Sequence, residues 1–479
     1  MRKLRETLLA KSWTFLLLIF AAALLPFFIL SLFNHPAPWD DYSVACLVKQ
    51  YGYGQFYVYF LQHYNGRYIS ALLQGLNPLA YDSFDAFRFV PMVFIGGFVA
   101  ACYYFMRRFW KYQLPLWQIA VITLGYCAIF FAYVRSAVEL WYWYSSSVVY
   151  ATAFIAVWTW LGVTAPLLQG ETLTQKEMIS AVMLALLLPG ISEAVAISTL
   201  AFASAMGIVG WLLTDNSMQR QQKTRQWFVL VACMVLGLLL YSILDGTHAR
   251  INLHTEAFNW HRVATGLLMQ LPIIASWAAN STLWLFTLLC IPSFARLASR
   301  LPVTHFLRMP PWLMAILTVT VILAAILPYY LVTGFIYIFV RIENIAFFWF
   351  LFFWFANVAC CVNYLQKRWQ VQWEAIPTYA VAALLAAALF KLYSPNTKVG
   401  VAWITLLNGD AVQYEKDHQA RYKQVLQHKK MHPTDTLLLP PIDTHMELLM
   451  FEELTTNPAH AVSNQGFAKY FGISAVKVQ

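Results

Sequence analysis

The chain has 479 residues, of which 60% are apolar by a broad count and only 11% are charged. A soluble globular protein carries roughly 25% charged residues and could not enclose so much apolar surface in one core. The composition therefore excludes a disordered chain, a secreted disulfide scaffold and a coiled coil, and it indicates a polytopic membrane protein.

Eleven apolar segments are predicted to cross the bilayer as helices. The fifth is short and meets the sixth at Pro189-Gly190-Ile191-Ser192-Glu193, which predicts a broken hairpin inside the bundle. The eighth lies in a stretch that is too long for one straight span, and residues 262–279 could instead form an interfacial helix. The eleven segments are 12–33, 86–106, 115–134, 147–168, 178–190, 194–213, 226–244, 272–294, 311–332, 342–365 and 374–392.

The basic residues of the short loops concentrate on one side of these spans. Residues 2–11, 107–111, 220–225 and 296–308 carry the main clusters, and all four fall on the side of the N-terminus. Because positively charged loops remain in the cytoplasm, a cytoplasmic N-terminus and an outer C-terminus are predicted. The net charge of +10 is thus mostly a topology signal, and no nucleic-acid partner is expected.

Two segments on the predicted outer side are long enough to fold. The first comprises residues 34–85 and belongs to a transmembrane module over 1–392, whereas the second is the tail, 393–479. In the tail, residues 399–430 have a helical pattern, and Thr436-Leu437-Leu438-Leu439 is typical of a short strand ended by two prolines. The sequence predicts an all-α membrane module followed by a small extracytoplasmic α/β domain.

The sharpest candidate site is Trp39-Asp40-Asp41-Tyr42, directly after the first predicted span. One carboxylate could accept a proton from an incoming hydroxyl, and the other could orient that hydroxyl or a sugar, with Trp39 and Tyr42 beside them. The two carboxylates could also hold a divalent cation. The alternative is an Asp-Asp turn that caps the helix that follows.

Three arginines on the predicted outer side, Arg67, Arg250 and Arg341, could each bind a phosphate through two parallel hydrogen bonds. Since arginines can neutralise a phosphate, no cofactor is required. The alternatives are a lipid-headgroup contact or an ion pair with Asp82 or Asp85 for Arg67, and a buried ion pair for Arg341.

Trp141 and Trp143 are candidates for stacking on a sugar ring. The alternative is an aromatic belt at the membrane interface. Nearby Arg135 and Glu139 are four residues apart and could simply pair with each other.

Glu193 and His248 complete the candidate substrate contacts. Glu193 lies at the predicted helix break, and broken helices at membrane depth usually line a cavity. His248 stands two residues before Arg250, and its spacing from His254 and His261 is not that of a compact zinc site.

As a set, these motifs resemble a bacterial family of polytopic proteins of unassigned function that is related to the GT-C glycosyltransferases. This chain has Ser192 before Glu193 and Thr247 after Gly246, where that family often has Asn. The matching pieces are Trp39-Asp40-Asp41-Tyr42, Asn65-Gly66-Arg67, 141–150, Ser192-Glu193, 246–250, Arg341 with Asn344, and 464–472.

The resemblance implies an enzyme of the bacterial inner membrane that moves a sugar from a polyprenyl phosphate to an acceptor hydroxyl on the extracytoplasmic face. Asp40 would be the base, and the product would be a surface glycan such as lipopolysaccharide or O-antigen. The expected partners are the lipid-linked sugar donor, a glycan or glycolipid acceptor, and the bilayer. Two alternatives stay open: a transporter or flippase of lipid-linked sugars, for which internal repeats would be expected, and a non-catalytic membrane scaffold.

Overall fold

A computed structural model shows a chain built almost entirely from helices. The structure describes residues 2–111, 113–212, 218–254, 259–298, 300–302, 305–369, 378–431, 434–444, 446–457 and 462–479. The helices are α1 (Arg2–Ser31), α2 (Asp40–Tyr51), α3 (Tyr53–His63), α4 (Tyr68–Gly75), α5 (Phe84–Trp110), α6 (Leu116–Tyr133), α7 (Tyr144–Leu168), α8 (Gln175–Ile191), α9 (Glu193–Leu212), α10 (Met218–Ser242), α11 (Asp245–His254), α12 (Trp260–Ala278), α13 (Ser281–Ala298), α14 (Pro311–Thr333), α15 (Val340–Trp369), α16 (Thr378–Leu392), α17 (Lys398–Leu407), α18 (Asp410–Met431) and α19 (Val462–Phe471). The strands are β1 (Thr436–Leu439) and β2 (Ala475–Val478).

Eight helices of the described ranges are long and apolar enough to cross a membrane, namely α1, α5, α6, α7, α9, α10, α14 and α15. A ninth crossing results if α12 and α13, which meet at an angle of 53°, form one bent span. The predicted interfacial segment 262–279 corresponds to α12, on one side of this bend. The structure thus confirms an all-α polytopic membrane protein.

Ten of the eleven predicted segments fall on one helix each, whereas the eighth, 272–294, spans the bend between α12 and α13. Two of these ten helices are shorter than the eight counted above. The fifth corresponds to α8, with 17 residues, and the eleventh to α16, with 15. Residues 374–377, the start of the eleventh predicted segment, lie outside the described part of the chain. The predicted break is present between α8 and α9, since α8 ends at Ile191 and α9 begins at Glu193.

One end of the bundle, here called the loop end, carries the connection between α1 and α5. This connection forms α2, α3 and α4 and then a short 3-10 turn, Pro78–Tyr81. α11 packs on α3 at a close approach that requires glycine: a Cβ on Gly66 would collide with Thr247, and one on Gly246 with the carbonyl of Leu61. This contact brings the segment that carries Arg67 close to α11.

The tail forms a small α/β domain that packs on the loop end. The predicted helix over 399–430 is divided into α17 and α18, because Gly409 adopts a positive φ of 81° between them. β1 pairs in parallel with β2, with Thr436 opposite Ala475. α19 packs against α2, so the domain lies directly beside the residues that follow the first span.

Candidate functional site

Asp40 is the first residue of α2 and is half-buried. Within the described chain its carboxylate makes no hydrogen bond or ion pair, although Arg341 and Arg250 both act on it electrostatically. Burial raises the pKa of Asp40 to about 6, against the opposing effect of the two arginines, and Glu452 raises it further. A carboxylate in this state can accept a proton near neutral pH.

Asp41 is fully buried, and protein groups donate hydrogen bonds to both of its carboxylate oxygens. Its Oδ2 accepts the backbone N–H of Ala37 at 2.9 Å, and its Oδ1 accepts the N–H and the hydroxyl of Ser145 at 3.0 and 2.8 Å. These bonds fix the segment before α2 to the start of α7. Because both oxygens are engaged, the geometry favours a positioning role for Asp41 over the predicted contact with a substrate hydroxyl or a cation.

Arg67 forms a two-pronged ion pair with Glu193. The Nε and Nη2 atoms of Arg67 donate to the two carboxylate oxygens, each at 2.6 Å. The alternative partners considered from the sequence, Asp82 and Asp85, are not used by Arg67, and Asp82 pairs with Lys49 instead. The Arg67–Glu193 pair links the start of α4 to the break between α8 and α9, so these nitrogens are not available to a phosphate and Glu193 is not free to bind a substrate.

Arg250 lies on α11 in a nearly buried position and, among the described residues, has no hydrogen-bond partner. Burial lowers the pKa of Arg250, and repulsion by Arg67 and Arg341 adds to this effect, while Glu193 opposes it. A buried cation without a bonded partner is costly. The arrangement therefore favours an anion beside Arg250.

Arg341 is the second residue of α15 and faces two aromatic rings. Its guanidinium lies 4.4 Å from the ring centre of Phe339 and 5.7 Å from that of Trp143. The Trp143 ring lies 4.9 Å from that of Trp39. The nearest carboxylate contact of Arg341 is with Glu139, at 3.9 Å, which is longer than a hydrogen bond. Arg341 thus retains donors beside this tryptophan pair, in which Trp143 is buried and the partly exposed Trp39 offers the ring surface that could stack on a sugar.

The other two predicted aromatics lie elsewhere. Tyr42 is buried against the tail domain, with its ring 4.8 Å from that of Tyr470 and 5.4 Å from that of Phe467. Trp141 is fully buried and stacks on Phe131 at 4.8 Å. The predictions that these two side chains contact a substrate are corrected, because one holds the tail domain and the other fills the helical core.

His248 is exposed on α11, and no contact joins its described side chain to the Asp40 carboxylate. His261 is also exposed, and the side chain of His254 lies outside the described residues. Over the described ranges, no group of three or more His, Cys, Asp or Glu side chains could hold a metal ion. The predicted role of His248 in substrate binding gains no support from its position.

Several charged neighbours of the site were not found from the sequence. Glu139 approaches Arg341, whereas Arg135 binds Glu343 at 3.0 Å, so the expected pairing of Arg135 with Glu139 is wrong. Glu452 of the tail domain acts on Asp40. These partners are far apart in the chain, and no local spacing could reveal them.

The site thus consists of Asp40, Arg250 and Arg341 with Trp39 and Trp143, here called the Asp40 cluster. Asp41 and the Arg67–Glu193 pair support the elements on which it lies. No family model, no curated protein and no solved structure matches this chain.

Proposed function

We propose that this protein is a membrane glycosyltransferase of the GT-C type, which uses a polyprenyl-phosphate sugar as donor. One observation carries the proposal: Asp40 is a half-buried carboxylate without a bonded partner in the described chain, and two arginines act on it electrostatically beside a pair of tryptophans. A base, two anion-binding groups and a stacking surface are the parts that such a transfer needs.

In the reaction, Asp40 removes the proton of the acceptor hydroxyl as its oxygen attacks the anomeric carbon of the donor sugar. The bond between that carbon and the phosphate oxygen breaks, and the polyprenyl phosphate leaves with the bonding electrons. Arg250 and Arg341 stabilise the charge that grows on the bridging oxygen. Trp39 and Trp143 hold the sugar ring between acceptor and phosphate.

Arg67, Glu193 and Asp41 take supporting roles in this mechanism. The Arg67–Glu193 pair fixes the helix break, and its charges act on Arg250. Asp41 fixes the residues before α2, so that Asp40 keeps its orientation. The proposed donor site therefore has two arginines rather than the three expected from the sequence.

The proposed cellular setting follows from the charge bias of the loops. Eleven crossings would place the N-terminus in the bacterial cytoplasm and the Asp40 cluster and tail domain in the periplasm. Reporter fusions at Lys111, Arg225 and Arg368 are expected to report cytoplasm, and one after Gln479 the outside. A cytoplasmic C-terminus would contradict this topology.

The function is tested first by mass spectrometry of surface glycans and lipids from cells with and without the gene. We expect one sugar to be missing from a surface glycan of the lipopolysaccharide type in cells without the gene. Purified protein in nanodiscs should then transfer this sugar from its polyprenyl phosphate. Loss of the same sugar with its lipid-linked donor retained in the inner leaflet, together with no transfer by the purified protein, would instead support a flippase.

A second experiment tests the need for a metal ion at Asp40 and Asp41. The same transfer is measured with a chelator, and then with Mg²⁺ or Mn²⁺ added back. We expect no effect, because Asp41 has both oxygens occupied by protein donors. Loss of transfer that the metal restores would make Asp40 a metal ligand instead of a base.

A further inference from the structure

A polar cavity lies at the loop end, between the membrane helices and the start of the tail domain. Its volume is about 400 Å³, which is within the range of small-molecule sites. Its walls come from the end of α6, the bend between α12 and α13, the first half of α15 and the start of α17. None of its lining residues belongs to the Asp40 cluster. We call it the α17 cavity.

Two cations line this cavity with unused hydrogen-bond donors. Arg135 donates to Glu343 through Nε, and its Nη atoms have no partner among the described residues. Lys398, the first residue of α17, likewise makes no hydrogen bond or ion pair in the described chain. Glu447 also lines the cavity, and both Glu447 and Arg135 are exposed to solvent, which screens their charges, whereas Lys398 is partly buried.

The environment of Lys398 disfavours its charge. Burial lowers the pKa of Lys398, and repulsion by Arg135 lowers it further, while Glu447 only partly opposes these effects. A bound anion with several oxygens would favour the charged form of Lys398, because it would accept hydrogen bonds from both cations at once.

The rest of the α17 cavity wall is mixed, with a polar part, Ser276, Asn280, Asn396 and Thr397, and a part made of large apolar side chains. Leu283, Phe347 and Leu351 belong to the membrane helices α13 and α15, and Trp277 lies at the end of α12. The cavity therefore joins a cationic rim to an apolar floor, as a lipid with an anionic headgroup requires.

We propose that the α17 cavity is a binding site for a phosphate group, which Lys398 and Arg135 hold, and that its apolar wall takes the chain when a lipid carries the phosphate. This site is separate from the Asp40 cluster. It does not rest on the proposed sugar transfer, so either proposal can fail without the other.

The test uses the full-length protein in detergent and native mass spectrometry. The protein is titrated with dioleoyl phosphatidic acid, with dioleoyl phosphatidylcholine as the reference lipid. Lys398→Gln removes the unpaired cation, and Ser276→Trp fills the cavity without changing its charge. Lys391→Gln is the matched control, since Lys391 is exposed near the end of α16 and does not line the cavity.

We expect wild-type protein to retain phosphatidic acid in preference to phosphatidylcholine. Lys398→Gln should weaken this binding about tenfold, the effect of one charged hydrogen bond. Ser276→Trp should weaken it because the indole occupies the space of the lipid, whereas Lys391→Gln should have no effect. Competition by excess inorganic phosphate would show that the phosphate group suffices, and its failure to compete would show that the lipid chain is needed. Equal binding of both lipids, or unchanged binding by both cavity variants, would overturn the proposal.

Discussion

His35 lies in the segment that joins α1 to α2, Asp40 is the first residue of α2, and the two residues stand in opposite electrostatic situations. His35 Nε2 lies 2.9 Å from Glu415 of the tail domain, and Arg88 donates to both oxygens of Glu415 at 2.8 Å. The His35 ring stacks on that of His418 at 3.9 Å. We call these four residues the docking cluster. Asp40, five residues later, has no bonded partner in the described chain.

The difference separates charges that hold the fold from charges that await a ligand. Although burial alone would raise the pKa of Glu415, hydrogen bonds from His35, Gln419 and Arg88 lower it to about 2, so its charge stabilises the fold. At Asp40 burial dominates, and the pKa is raised to about 6. Proteins retain such unfavourable groups mainly where function needs them.

Replacing Asp40 should produce the largest functional effect. Asp40→Asn keeps the shape and removes the base, so we expect sugar transfer to fall by about 10²-fold or more. Because the folded-state pKa of Asp40 lies above its unfolded value, the charged carboxylate disfavours folding above about pH 6. The thermal midpoint of Asp40→Asn at neutral pH should therefore equal or exceed that of the wild type.

Glu415→Gln is the matched variant in the docking cluster. It leaves Arg88 without a charged partner and should lower the thermal midpoint, while the remaining folded protein still transfers sugar. Full activity of a folded Asp40→Asn protein would remove the reason to assign Asp40 as base. An unchanged thermal midpoint in Glu415→Gln would contradict the view that the docking cluster stabilises the fold.

Replacing the arginines should also distinguish functional from structural roles, with smaller effects than the replacement of Asp40. Arg250→Ala and Arg341→Ala should each lower kcat/KM for the lipid-linked donor about 10- to 100-fold, and lysine should restore it only in part. Arg67→Ala should instead lower the thermal midpoint, because it leaves Glu193 without its partner. Equal midpoints for all three alanine variants would contradict this division of roles.

Composition and charge bias were enough to predict the helical membrane module, because lipid permits few other folds. The strand at 436–439 also follows from its local pattern. β2 was not predicted, since a two-stranded parallel pair depends on contacts across some 40 residues that no local pattern encodes. The division of 399–430 into two helices was missed because it depends on the positive φ of Gly409.

The sequence predicted several residues of the candidate site, but not which side chains pair with each other. The motifs pointed to Asp40, Arg250 and Arg341, but not to the Arg67–Glu193 pair, whose members are 126 residues apart. Nor could spacing distinguish Trp141 from Trp143. The π-helical turn Val138–Tyr142 contains Trp141 and ends just before Trp143, so that Trp141 enters the core and Trp143 lies beside Arg341.

The pH dependence of transfer should follow Asp40. Because the base must be deprotonated, kcat/KM should fall as the pH drops through about 6, the value to which burial raises the pKa of Asp40. Arg341 opposes this rise, so Arg341→Gln should move the inflection to higher pH in whatever activity remains. An inflection that stays in place would show that another group controls the profile.

The smallest effect is expected in the docking cluster, below neutral pH. Burial lowers the pKa of His418, and the charges of His35, Arg421 and Arg88 lower it further. As the pH falls below 6.5, the unfolded chain therefore takes up a proton that folded His418 resists, and the fold loses stability.

His418→Phe keeps a ring against His35 but cannot titrate, so the stability of this variant should depend less on pH below 6.5. Hydrogen exchange of α18 in the full-length protein, measured at several pH values, would detect the change, with His428→Phe as the control because His428 is a histidine of the same helix outside the cluster. The same pH dependence in His418→Phe and wild-type protein would assign the effect to His35 or Glu415. Because Asp40→Asn should leave this pH profile unchanged, the experiment also shows whether the docking cluster and the Asp40 cluster act independently.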